Sequence, residues 1–249
     1  AACAALGAGI YRAGETQEQG GQAGGMSICE DMPSSDIRLI LGCHVVPGMY
    51  LLQGGTVGGG VMKWMKKTLG CHSFAVMDEE AGSSAPGAGG VLLLPYFSGE
   101  RSPIWDSRSC AVYYGMSYGT ERKDLLRAGL ESSAYTLRHN LETAYEAGAS
   151  VSELSATGGA SRSFLWTQIK ADVTGKRIIV PDAENATVWG AAMLAGVGCG
   201  LFSSFEEAVE GSRKVLRVHE PDASLKNAYD SAYQRFLGLY GSLREYMHA

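Results

Sequence analysis

Residues 154–173 read LSATGGASRSFLWTQIKADV. A short run of apolar and small residues ends in Gly158-Gly159, and an amphipathic helical pattern begins almost at once. Glycine permits a tight turn and lets the backbone come close to a flat or charged ligand. The helix that follows aims its unpaired N–H groups and the positive end of its dipole back at that turn. An α/β protein builds a nucleotide site in this way. An ordinary loop before a helix has the same composition, so the stretch alone leaves both readings open.

The whole chain sets wider bounds. Its 249 residues suffice for one large domain with an ample core. A net charge of −5 offers no basic stripe for phosphate backbones, which argues against a nucleic-acid partner. Lys63, Lys66 and Lys67 form the densest basic group and fit the solvated side of a helix. No apolar run approaches the roughly 20 residues of a membrane span. Six cysteines are scattered without a CxxC pair, which reads as reduced thiols of a cytoplasmic protein. Cys43-His44 and Cys71-His72 lack the tight paired spacing of a zinc site, so no metal ligands are assigned. The chain opens on Ala1 without a Met, and the expectation is a piece of something longer.

Taken in order, residues 1–9 suit a helix ending at Gly7 and Gly9. The Gln- and Gly-rich run from Gly14 to Gly25 predicts a β-hairpin that continues through Met26–Cys29. Ile37–Leu41 and Met49–Leu52 read as strands. Gly54 to Gly60 precede a helix on Val61, Met62, Met65 and Leu69, a second glycine-rich approach to a helix. Residues 71–90 look like a polar, variable excursion, and Val91–Pro95 like a buried strand. Ala111–Met116 is apolar and aromatic. Glu121 to Ala147 forms the longest helix, with Leu126, Leu130, Ala134, Leu137, Leu141 and Ala144 on one stripe. Ile178–Val180 is a strand, and Glu184 to Thr187 start a small-residue helix with a charged first turn. Phe205–Glu210 begins a short helix, and Ser224 to Met247 form a last one with Leu225, Ala228, Ala232, Phe236, Tyr240 and Leu243 facing inward. Strands and helices alternate without a linker, which predicts one α/β domain over residues 1–249.

Several stretches together resemble the C-terminal lobe of the FGGY carbohydrate kinases, of the actin-like ATPase superfamily. LLLPYFSGERSPIWD (92–106) is similar to one family block and AVYYGMSYGTERKDLLRAGLE (111–131) to the second signature. TGGASRSFLWTQIKADVTGK (157–176) resembles the adenosine-loop block, and ENATVWGAAMLAGVGCGLF (184–202) the block that closes the adenine pocket. The resemblance implies an actin-like, ribonuclease H-like lobe with a mixed sheet flanked by helices. It also implies transfer of the ATP γ-phosphoryl to a sugar hydroxyl with Mg²⁺, a reaction run mainly by positioning and charge neutralisation.

Carried over by that resemblance, Gly158, Gly159 and Ser163 would contact adenine and ribose. Gly25, Met26 and Ser27 would stand for a Gly-Thr-Ser hairpin beside the β- and γ-phosphates. Gly58, Gly59 and Lys63 would face the phosphates too, although Lys63 also fits a plain solvated helix lysine. Met26 replaces the threonine, Cys110-Ala111 an Arg-Gly pair, and Gly129 a Ser, Thr or small aliphatic residue. The catalytic aspartate would stand just before Ala1, so no catalytic residue is assigned in this chain, and the N-terminal sugar-binding lobe would be its partner. The leading expectation is the ATP-binding lobe of a xylulokinase-like enzyme, with gluconate or another sugar as further acceptors. The alternative is a catalytically silent nucleotide-binding or dimerisation module. A homodimer through Phe202, Phe205 and the terminal helix is a further expectation.

Overall fold

The computed structural model describes residues 1–183, 185–211 and 214–249. Its seven-stranded mixed sheet is built from β1 (Glu15–Gly20), β2 (Gly24–Glu30), β3 (Ile40–Cys43), β4 (Tyr50–Thr56), β7 (Glu153–Thr157), β8 (Ile178–Pro181) and β9 (Val215–His219), in the order β3-β4-β2-β1-β7-β8-β9. β1, β7 and β8 run parallel, and the remaining pairings are antiparallel. β5 (Leu92–Leu94) and β6 (Val112–Tyr114) make a separate two-stranded ribbon.

Both sheet faces are covered, as the two-sided burial of β2 and β4 requires. Met26, Ile28 and Leu52 point to one face, under Leu137, Leu141 and Ala144 of α4 (Arg122–Glu146) and Ala171 of α5 (Phe164–Thr174). Cys29 and Leu51 point to the other, against Ala5 of α1 (Ala2–Gly7). Alternate residues of a strand face opposite sides, so each strand feeds two cores. Beyond α4 and α5 lies a further helical layer of α2 (Gly59–Thr68), α3 (Phe74–Gly82) and α8 (Lys226–Met247), sharing the largest apolar cluster. α6 (Ala186–Gly198) and α7 (Phe205–Glu210) close the face over α1.

α4 is the central helix, and the expected stripe is entirely buried. Several of its polar side chains, Arg127, Glu131 and Asn140 among them, are buried as well. Arg127 pairs with Glu131 at 2.8 Å and donates to the Tyr229 hydroxyl of α8 at 2.9 Å, which satisfies charges that would otherwise be costly inside. Gly129 follows from packing: a Cβ there would stand 2.1 Å from Met65 Sδ on α2.

Several expectations shift. Residues 71–90 hold α3, capped by the Ser73 hydroxyl on the Val76 N–H at 3.1 Å. The strand expected at 37–41 is displaced to Ile40–Cys43, with Ile37 fully out in solvent. The buried stripe of α8 is Tyr229, Ala232, Tyr233, Phe236 and Leu239, while Ala228 is exposed. Phe202 and Phe205 pack inward beside Leu6 and Met193. Glu184, expected to charge the first turn of α6, lies outside the described residues. His44 is a structural residue: one ring nitrogen meets Ile10 O at 3.0 Å and the other accepts the Val46 N–H at 3.1 Å.

Candidate functional site

The carboxyl ends of the three parallel strands lie together at Gly20, Thr157 and Pro181. In open α/β sheets ligands bind outside these ends, where successive connections leave in opposite directions. Here β1 turns back into β2 while β7 runs on into α5, and a trough opens between the two connections.

Two glycine segments form the floor. The β1–β2 pairing ends at Gly20 opposite Gly24, so the turn is Gly21-Gln22-Ala23. Gly158 has φ +83°, and a Cβ on it would come within 2.9 Å of Gly20 O. A Cβ on Gly20 would in turn stand 2.1 Å from the Ala160 Cβ. The hairpin turn and the turn at residues 158–162 are therefore pressed together, and only glycine fits on both sides. Gly159 differs, because nothing lies within 4 Å of the place a Cβ would take. It faces open space.

On one side of the Gly159–Arg162 turn is a cavity of about 560 Å³. It is lined by Gly20, Gly21 and Gln22 of the hairpin turn, by Met62 and Lys63 of α2, by Phe74, Met77 and Asp78 of α3, and by Arg162, Ser163 and Trp166 around the start of α5. The indole N–H of Trp166 donates to Ser133 of α4, which fixes the ring. On the other side is a hollow of about 570 Å³ lined by Gln19, Thr157, Asn185 and Thr187. Gly159 and Arg162 border both.

The glycines before α2 serve the hairpin. Gly59 N–H donates to Gly21 O at 2.8 Å and Gly60 N–H to Gln22 O at 3.0 Å. A Cβ on Gly58 would meet Gly21 O at 2.6 Å. The first turn of α2 thus clamps the hairpin turn, and those two N–H groups are already used. Lys63 reaches across to Gln22, Nζ to Oε1 3.0 Å, and so carries its ammonium to the hairpin turn.

Of the expected site residues, Gly58 packs beneath the hairpin turn, while Gly59, Lys63, Gly158, Gly159 and Ser163 gather along the trough. Gly25, Met26 and Ser27 do not. They lie within β2, where Met26 is buried in the core, 1 % exposed, and the Ser27 hydroxyl accepts from Gln53 at 3.0 Å. Strand pairing places the turn earlier, so Gly20, Gly21 and Gln22 hold the position assigned to those three. Ser163 caps α5, accepting the Trp166 N–H at 3.0 Å. The α3 residues Phe74, Met77 and Asp78 escaped the sequence reading. The spacing of Phe74, Met77, Asp78 and Ala81 after Ser73 carries the signal of a capped helix that could have found them. Burial raises the Asp78 carboxyl above its ordinary value, and the hydrogen bond from Ser163 opposes that.

The profile of the FGGY family of carbohydrate kinases, C-terminal domain, matches residues 39–199. A xylulose kinase of Staphylococcus epidermidis is 31% identical over 248 residues, 98% of this chain and 50% of that protein. A gluconokinase of Bacillus licheniformis is 27% identical, over 96% of this chain and 49% of its own length. The crystal structure of xylulose kinase from Rhodospirillum rubrum superimposes with a TM-score of 0.90 at 30% identity, over 99% of this chain and 51% of that one. The chain thus spans about half the length of these relatives. Its mixed sheet and flanking helices are those of an actin-like ATPase lobe. The chain belongs to the FGGY family of carbohydrate kinases.

Proposed function

We propose that this chain supplies the ATP-binding lobe of a kinase that phosphorylates a sugar hydroxyl, with D-xylulose the favoured acceptor. One observation carries the reading: a single cavity joins the glycine hairpin turn, where Lys63 meets Gln22, to the apolar and aromatic side chains of Phe74, Met77 and Trp166. That polarity matches a nucleotide, whose base is flat and apolar and whose phosphates seek backbone N–H groups and cations. The base enters between α3 and the start of α5. The phosphates extend over Gly20–Gln22 toward Lys63, and the ribose passes the open flank of Gly159.

In this reading the lobe binds and orients, which is most of what phosphoryl transfer asks of a protein. Mg²⁺ would neutralise charge on the phosphates. Among the described residues that line the two hollows the only carboxylate is Asp78, on the base side. These linings therefore do not fit a resident metal site, and the ion would be held by the phosphates and by groups elsewhere in the kinase. The base for the attacking hydroxyl is not assigned in this chain, and most of the sugar site would belong to the N-terminal lobe. The Met26 side chain lies in the core, so its replacement of a threonine does not bear on the phosphates in this reading. A homodimer through this lobe is a further part of the proposal, tested by sedimentation.

The test is calorimetric titration of the 249-residue chain with ATP, ADP and adenosine, followed by an ADP-release assay with D-xylulose. Saturable nucleotide binding with little turnover is expected. A folded chain that ignores all three ligands sinks the reading, and robust turnover would show that base and sugar site are present in this chain.

A further inference from the structure

Among the described residues that line the cavity, Asp78 is the one carboxylate. Asp78 lies on α3 one turn after Phe74, and lines the space together with Ser163 on the facing segment. The Ser163 hydroxyl works on both sides. It accepts the Trp166 N–H at 3.0 Å as the cap of α5, and its hydroxyl lies near enough to the Asp78 carboxyl to favour the charged form. The cap thus holds the serine beside the carboxylate. An ionised carboxylate has about four acceptor positions and no donor. One serine leaves acceptor capacity unused, beside the apolar side chains of Phe74, Met62 and Met77. Partial burial already disfavours its charge, so a donor arriving on a ligand improves its position.

The hairpin turn sets the ligand's direction. Gly20–Gln22 and Lys63 fix the phosphates there, which leaves the base among Phe74, Met62, Met77 and Trp166, with Asp78 as a hydrogen-bonding group on its edge. A purine carries its distinguishing substituent at position 6. An amino group there donates, whereas a carbonyl would set its lone pairs against those of the carboxylate.

We infer that Asp78, oriented by Ser163, is the specificity-determining residue that selects a 6-aminopurine nucleotide over a 6-oxopurine nucleotide. The inference rests on the reading of this cavity as the ATP site. Selection of this kind is effective because the wrong base leaves buried polar groups unpaired. It also explains why Ser163, placed beside the nucleotide by sequence, caps a helix: its contact with the base is made through Asp78.

The experiment compares ATP with inosine triphosphate, which differs from ATP in the substituent at position 6 and the proton that its 6-oxo form carries on N1. Dissociation constants are measured by calorimetry for the wild-type chain, Asp78→Ala and Asp78→Asn, each first shown to be folded by its thermal transition. The wild type is expected to prefer ATP by roughly tenfold or more. Asp78→Ala brings the two nucleotides to within about twofold, mainly through weaker ATP binding. Asp78→Asn keeps the shape and can donate, and shifts the preference toward inosine triphosphate. An unchanged ATP preference in both variants overturns the role of Asp78 and leaves the ATP site standing. A folded wild type that binds neither nucleotide overturns both.

Discussion

Gly190 of α6 packs so tightly on Cys3 of α1 that a Cβ at position 190 would lie 1.7 Å from the Cys3 carbonyl oxygen. The contact is reciprocal, since a Cβ on Gly7 would lie 1.8 Å from Ala186 O. The two helices cross backbone to backbone, and neither can move without losing the cover over Leu6 and Met193. Gly190→Ala is therefore expected to cost about 3 kcal/mol, the upper end for overpacking. Gly198 sits at the end of the same helix with nothing within 4 Å, and Gly198→Ala should stabilise by about 0.5 kcal/mol. Urea titration of both variants checks the pair, and equal effects would refute the account.

Glu18 and Lys170 form an ion pair of 2.7 Å with side chains 3% and 4% exposed, directly behind the hairpin. Lys170 Nζ also lies 4.5 Å above the Trp166 ring, a cavity wall. Removing one partner strands the other charge, so Lys170→Met should lose about 3–5 kcal/mol. The double variant Glu18→Met with Lys170→Met removes both charges and should recover most of that loss, because buried pairs repay little beyond their own desolvation. A double-mutant cycle in urea measures the coupling; additive losses would contradict it.

How far these features could be read in advance depends on side-chain pattern. α4 shows its stripe at helical spacing, and its buried side agrees with it residue by residue. The hairpin turn did not announce itself, because Gly20, Gly21, Gly24 and Gly25 have no side chains to mark inside and outside. Its position is fixed by pairing with β7 and β4, which a local reading lacks. β9 is an edge strand with Val215 and Leu216 both exposed, so it lacks the alternation that betrays a strand. The trough was legible on the Gly158-Gly159 side, where a positive φ and a following helix go together. At α3 the sequence signals a capped helix but not a site, because Asp78 acquires its surroundings only when α3 meets α5.

Lys63 separates phosphate contact from helix solvation. Lys63 and Lys67 on the same helix are both exposed, but the Lys63 ammonium is held at the hairpin turn by Gln22, whereas Lys67 lines no part of the cavity. Lys63→Ala should weaken ATP binding roughly tenfold, the weight of one charge-assisted hydrogen bond, and leave adenosine binding unchanged. Lys67→Ala should change neither. Parallel losses for ATP and adenosine in Lys63→Ala would show a structural effect instead.

Glu100 gives the fold a pH signature. Burial raises its carboxyl from 4.5 to about 7, although the Arg101 backbone N–H donates to it at 2.8 Å. The folded state thus binds this proton more tightly than the unfolded chain. Its contribution to stability is full below about 4.5 and is lost as pH rises through about 7. Glu100→Gln removes the titration while keeping the shape. Relative to the wild type, the variant should be more stable at pH 8 than at pH 5, as read by urea midpoints at the two pH values. A difference that stays constant, or runs the other way, would place the Glu100 carboxylate in water instead of against the Tyr96 side of its loop, whose ring is buried at 2% exposure.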